Sequence, residues 1–215
     1  MTVPTQPWER LYSDVKIDVP GITDAVFQQK LFQCVKDFLE STNIWQESVP
    51  IVGMPNVNSY PVTLAGNGVC HRLLMLYNPE LSPPSYPRWI QGGVGMSVPG
   101  VITVPYAPST QVDWTAIIAK SVTDPTSMEN YPVLDDSYSW VVDKYRMAFY
   151  YGTLARIQAQ PAKPYSNPNL AAQNNRLYIT ERGKARTDAL KHNTFGAQAW
   201  VFPQGYASIT RKGWA

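Results

Sequence analysis

The stretch YYGTLARIQAQPAKPYSNPNLAAQNNRLYITERGKARTDAL, residues 150–190, constrains the fold more than any other. Proline removes a backbone donor and clashes with the preceding turn, so Pro161 and Pro164 must end a helix that runs into Gln160. Asn167 followed by Pro168 restarts one, with Asn as the cap and Pro at the first helical position. The pattern predicts helices over about 136–160 and 168–192, joined by a short loop and therefore antiparallel. Each would be roughly 35–40 Å long. Ala148, Gly152, Ala155 and Ala159 fall at i, i+4, i+7 and i+11, a stripe of small residues that lets another helix approach closely. Leu170, Asn174, Leu177 and Ala185 mark one face of the second helix.

Upstream the pattern changes. Residues 1–22 carry Pro4, Pro7 and Pro20 and read as an extended arm anchored by Trp8, Leu11, Val15 and Ile17. A first helix over 23–44 is capped by Thr23 or Asp24. It carries Phe27, Leu31, Cys34, Val35, Phe38 and Thr42 on one stripe and ends at Asn43. Residues 45–135 hold short runs rich in Val, Ile, Thr and Tyr at 47–52, 60–64, 69–77, 100–104 and 115–122. Pro50 and Pro61 confine their strands to edges or starts. Two segments read as loops, the proline-rich 81–87 and GGVGMSVPG at 92–100. Residues 193–215 read as an extended tail. The fold class expected is α+β: a bundle of long helices, namely the N-terminal helix and the C-terminal hairpin of 136–192, with an inserted small antiparallel sandwich or barrel.

Charge is segregated along the chain. Residues 1–143 hold 7 Lys/Arg and 14 Asp/Glu, whereas residues 144–215 hold 11 and 2, so an overall +2 conceals −7 and +9. A basic C-terminal third points to nucleic acid or to an acidic protein surface. Arg176, Arg182, Lys184, Arg186 and Lys191 line the last helix but are spread around it, without helix-turn-helix or RNP-like signatures.

Residues with chemical potential find no partners in the sequence. His71 and His192 stand apart from any carboxylate or cysteine set with metal-ligand spacing, so no metal or other cofactor is expected. Asp135 and Asp136 precede a helix, where the dipole favours carboxylates without catalysis. Cys34 lies on an apolar stripe, and the glycines of 92–100 lack a phosphate-binding pattern. Two cysteines make no disulfide framework, so reduced buried thiols in a cytoplasmic setting are expected. The start MTVPTQPWERLYSD lacks the features of a leader, and no run is long and apolar enough to cross a membrane. An enzyme is not indicated.

Two phrases carry a family resemblance: DFLESTNIWQESVPI at 37–51, more loosely, and YPVLDDSYSWVVDKYRMAFYYGTLARIQAQPAKPYSNPNLAAQNNRLYITERGKAR at 131–186. Within the second, the turn Pro161-Ala162-Lys163-Pro164-Tyr165-Ser166-Asn167-Pro168 separates a small-residue helix from a long one. In these the chain resembles the head-to-tail adaptor (connector) proteins of tailed bacteriophages, particularly the strand-containing type. The resemblance covers residues 25–52 and 131–192 and reaches the strand region by position only. It implies a virion protein, assembled in the host cytoplasm, that forms a ring, usually dodecameric, beneath the portal. Such a ring passes double-stranded DNA without reading its sequence and carries the tail nozzle or fibres. On that basis Arg182, Lys184, Arg186, Arg211 and Lys212 are expected to meet the portal, with Trp200, Phe202, Tyr206 and Trp214 as aromatic anchors. For Trp200 and Phe202, which lie nearest the helices, folding back onto the protein's own core is an equal expectation. The loop residues Tyr86, Arg88 and Trp89 are expected to face the tail or a fibre. The alternatives are a nucleic-acid-binding module using helix 168–192 and a sandwich-type carbohydrate- or surface-binding domain.

Overall fold

The computed structural model describes residues 7–65, 68–78, 93–124 and 139–193. The chain is mixed helix and sheet. Two helices lead, α1 (Pro7–Asp18) and α2 (Asp24–Thr42). Six strands follow: β1 (Gln46–Gly53), β2 (Ser59–Pro61), β3 (Val69–Tyr77), β4 (Gly95–Val98), β5 (Val101–Thr103) and β6 (Val112–Ser121). Three helices close the described chain: α3 (Ser139–Lys144), α4 (Arg146–Gln158) and α5 (Pro168–Asn193).

The segment expected to be an extended arm is helical. Pro7 occupies the first position of α1, where its missing N–H costs nothing. Leu11, Val15 and Val19, at i, i+4 and i+8, are fully buried, and Tyr12 packs its ring on Phe27 of α2 with centroids 4.6 Å apart. Ile17, expected to anchor the segment, instead lies 80% exposed. In α2 the buried stripe is Phe27, Leu31, Phe32, Cys34, Val35, Phe38, Leu39 and Thr42. Asn43 ends the helix in the left-handed region, φ 53°, donating its N–H to Leu39 O.

The strands form two antiparallel three-stranded sheets, ordered β1-β6-β3 and β2-β5-β4. β1 and β2, which contain Pro50 and Pro61, both lie at sheet edges. GGVGMSVPG is not all loop. It supplies β4, which turns at Pro99-Gly100 to pair with β5; Gly100 adopts the positive φ (83°) this turn needs. Val49, Ile51, Leu76, Trp114, Ala116 and Ile118 of the first sheet share one core with Tyr60 and Ile102 of the second.

A separate core joins α1, α2, α3, α4 and α5. The expected single helix over 136–160 is broken at Tyr145, whose φ/ψ of −114°/32° leaves the helical region. Tertiary contacts hold it there: its ring packs on Phe38, and its hydroxyl donates to Asp188 Oδ2 at 2.8 Å. The Pro161–Pro164 turn closes with Asn167 N–H donating to Gln158 O, and Asn167 Oδ1 accepts the Leu170 N–H to cap α5. Contacts of Gln158 with Asn174 and of Tyr145 with Asp188 show that α4 and α5 run antiparallel.

Candidate functional site

Among the described residues, the junction of α2, α4 and α5 holds a hydrogen-bonded polar cluster. Gly152 lies at its centre. A Cβ there would stand 2.4 Å from Cys34 Sγ and 2.7 Å from the Tyr178 ring, so only glycine lets all three helices meet. Ala148 and Ala155 are also buried, whereas Ala159 caps the end of α4 and is exposed. The small-residue stripe therefore packs in its first three members.

Beside Gly152, one carboxylate oxygen ties the helices together. Asp37 Oδ2 accepts from Tyr178 hydroxyl at 2.7 Å, Arg156 Nη2 at 2.8 Å and, more distantly, Arg182 Nη1 at 3.4 Å. The two guanidinium groups stand 5.1 and 5.4 Å from the centroid of the Tyr178 ring, within cation–π range. Burial raises the Tyr178 hydroxyl pKa far above its ordinary value, and Cys34 and Asp37 add to the shift. Burial likewise pushes the Cys34 thiol up to about 12, against the opposing pull of Arg156. A thiol held protonated in a closed core is no nucleophile. This cluster braces helices; it does not activate a group.

The structure separates the α5 cations expected to meet a partner. Arg182 is turned inward to Asp37. Lys184 pairs with Glu181 at 2.6 Å, an exposed i,i+3 pair of the kind worth little and readily exchanged. Arg186 is exposed. Trp200, Phe202, Tyr206, Arg211, Lys212 and Trp214 lie outside the described residues, as do Tyr86, Arg88 and Trp89 and the Asp135-Asp136 pair. His71 is exposed on β3, and Cys70 is only partly buried. Among the described residues no group of three His, Cys, Asp or Glu could hold a metal, and no helix is long and apolar enough to cross a membrane.

The buried face of α5 keeps Ala185 of the face expected and is otherwise rotated away from it. Ala171, Tyr178, Ala185 and Ala189 form it, while Leu170 and Leu177 are exposed. At 100° per residue, Leu177 falls on one flank of that stripe, and Ile179 and Leu190, 48% and 57% exposed, fall on the other. A second feature escaped the sequence reading. Residues 48–70 and 89–112 contain no Asp, Glu, Lys, Arg or His. They place exposed Met54, Val57 and Tyr106 at one end of the β unit, where Asn56 N–H donates to Pro108 O. An unbroken absence of charge in those two segments was the available signal.

No protein-family model matches the chain, and the curated proteins contain no significant relative.

Proposed function

We propose that the chain is a non-enzymatic structural protein, a head-to-tail adaptor that forms a dodecameric ring between the portal and tail of a phage virion and lets DNA pass. The observation that carries this reading is α5. It is 26 residues long and exposes large apolar side chains on both flanks of its buried stripe, Leu177 on one and Ile179 with Leu190 on the other. We read these two apolar flanks, the first also carrying exposed Leu170, as the contact surfaces between neighbouring subunits. Two opposite flanks fit a subunit with a neighbour on each side, as ring closure by heterologous contacts requires. The brace around Gly152 and Asp37 supplies the stiffness a ring wall needs.

Two chemically distinct surfaces fit two different partners. Arg186 and Lys184 on α5, with Arg211 and Lys212 beyond it, suit an acidic portal surface; Arg182 acts in the helix brace instead. The uncharged end of the β unit, which we read as a small sandwich around the core shared by the two sheets, suits a tail-side protein. Charge-free aromatic and apolar surface is typical of the centre of protein interfaces.

Purified protein mixed with the cognate phage's portal assembly tests the reading by light-scattering chromatography, with negative-stain images of the peak. A portal-dependent ring is expected. No association at low salt and high protein concentration overturns it.

A further inference from the structure

Two faces of the helical unit complement each other, and α5 separates them. The first is an open groove of about 760 Å³ along α4, between α1 and the start of α5. Met147, Leu154 and Gln158 of α4 form its floor, and Ile17 of α1 and Leu170 of α5 stand on its walls. Ile17, Met147 and Leu170 are exposed apolar side chains. The second face is a strip on α5 made by Ala172, Arg176, Ile179 and Gly183, all exposed and spaced i, i+4, i+7 and i+11. A Cβ on Gly183 would meet nothing within 4 Å, so among the described residues this strip stands open. We infer that the groove of one copy of the chain takes the Ala172–Gly183 strip of a second copy, with Arg176 paired to Asp18 across the contact.

Charge points to that occupant. Asp14 in the groove is neutralised by Arg146. Asp18 accepts from the Tyr150 hydroxyl, a neutral donor, and no cation pairs with it among the described residues. The groove lining therefore keeps a net charge of −1, from Asp14, Asp18 and Arg146. Arg176 is exposed and likewise has no carboxylate partner among the described residues. Pairing the two satisfies both charges and brings Ile179 beside Ile17, the neighbour of Asp18.

Dimensions and direction agree. Floor and strip span 11 residue steps each (147 to 158, 172 to 183), about 16 Å of helix at about 1.5 Å per residue. Leu170 in the groove and Ile179 in the strip are 9 residues apart, which at about 100° per residue puts them on opposite sides of α5. One copy cannot present both faces to the same partner. The contact is heterologous, head to tail, and repeats from copy to copy. Closure of that repeat into a ring rests on the adaptor reading.

The test mixes two full-length variants, Leu170→Cys and Ile179→Cys, each in a Cys70→Ser background, under mild oxidation. It is run on the free chain at low salt and high concentration, and again on the assembly bound to the cognate portal. A disulfide between 170 of one copy and 179 of another is expected in the mixture, while each variant alone stays reduced. Asp18→Lys in the Leu170→Cys chain should slow the crosslink at least about threefold, because it sets like charges against each other. Arg176→Glu in the Ile179→Cys chain should then restore it. Absence of the mixed crosslink in both settings overturns the inference, as does equally fast crosslinking of either variant alone or failure of the charge swap to restore the rate. A portal-bound ring without the crosslink overturns the inference and leaves the adaptor reading standing. The crosslink in the free chain, with no binding to portal, upholds the inference and overturns the adaptor reading.

Discussion

At the scale of single residues, Gly152 and Cys34 show how a long-range approach fixes what one position can hold. Gly152→Ala puts a methyl group into Cys34 Sγ and the Tyr178 ring, and overpacking of this kind costs about 1–3 kcal/mol. Cys34→Ala removes the nearer clash, so the double variant should lose less stability than the sum of the two single ones; a urea-denaturation cycle measures this. Cys34 also predicts an alkaline response. Its folded pKa, about 12, lies above the ordinary thiol value of 9.0, so the unfolded chain releases its proton first. The stability it contributes is complete below pH 9 and is lost as pH rises from 9 toward 12. The slope of unfolding free energy against pH should therefore be negative over that range. It should flatten in Cys34→Ala between pH 9 and 10, below the pH at which tyrosines ionise when unfolded. An identical slope in both proteins would refute the assignment.

At the scale of elements, the junction of β6 with α2 and β1 rests on a nearly buried cation. Lys120 Nζ reaches Glu47 Oε2 at 2.8 Å and Ala65 O at 3.2 Å, and it stands 4.5 Å over the Trp45 ring. The Lys120 side chain is 4% exposed and that of Glu47 20%. Desolvation raises the Glu47 pKa, but hydrogen bonds from Lys120 and the Ala65 N–H outweigh it, and the carboxyl ends below its ordinary value. Glu47→Gln leaves the lysine charge buried without its counter-ion. A fully buried pair broken this way costs about 3–5 kcal/mol; the partial exposure of Glu47 lowers the expectation to about 2–3 kcal/mol by thermal or chemical denaturation. Because the Glu47 pKa is depressed, its contribution is present above the ordinary carboxyl range and fades as pH falls through the folded value. Gly68, at φ 114°, lies against the same Trp45 and Lys120, so the turn it occupies is packed onto this ion pair.

At the scale of the whole molecule, charge segregation gives the proposed ring an electrostatic direction. Portal binding through exposed Arg186 and Lys184 should weaken with salt, because solvent-exposed charges beyond about 8 Å are screened at physiological ionic strength. Binding through the uncharged end of the β unit should be nearly indifferent to salt. Replacing Arg186 and Lys184 together by Glu should slow portal association and reduce its salt dependence, whereas Tyr106→Ala with Met54→Ala should leave portal binding unchanged. Association rates measured from low to moderate salt separate the two surfaces, and equal effects of both double variants would remove the division between them.

Local signals were legible where local chemistry decides. The hairpin turn followed from Pro161, Pro164 and Asn167-Pro168, β6 from its run containing Thr115, Ile117 and Ile118, and the buried stripe of α2 from its spacing, because each needs only neighbouring residues. The tertiary structure decided the rest. It made α1 a helix because Leu11, Val15 and Val19 found a core to enter, and it broke the long helix at Tyr145 because Asp188 and Phe38 hold that side chain. It turned Arg182 inward to Asp37, a residue 145 positions away in the chain. Hydrophobic spacing shows which faces can be buried. Which of them are buried, and which cations stay free, depends on elements arriving from elsewhere in the chain, and no local pattern carries that information.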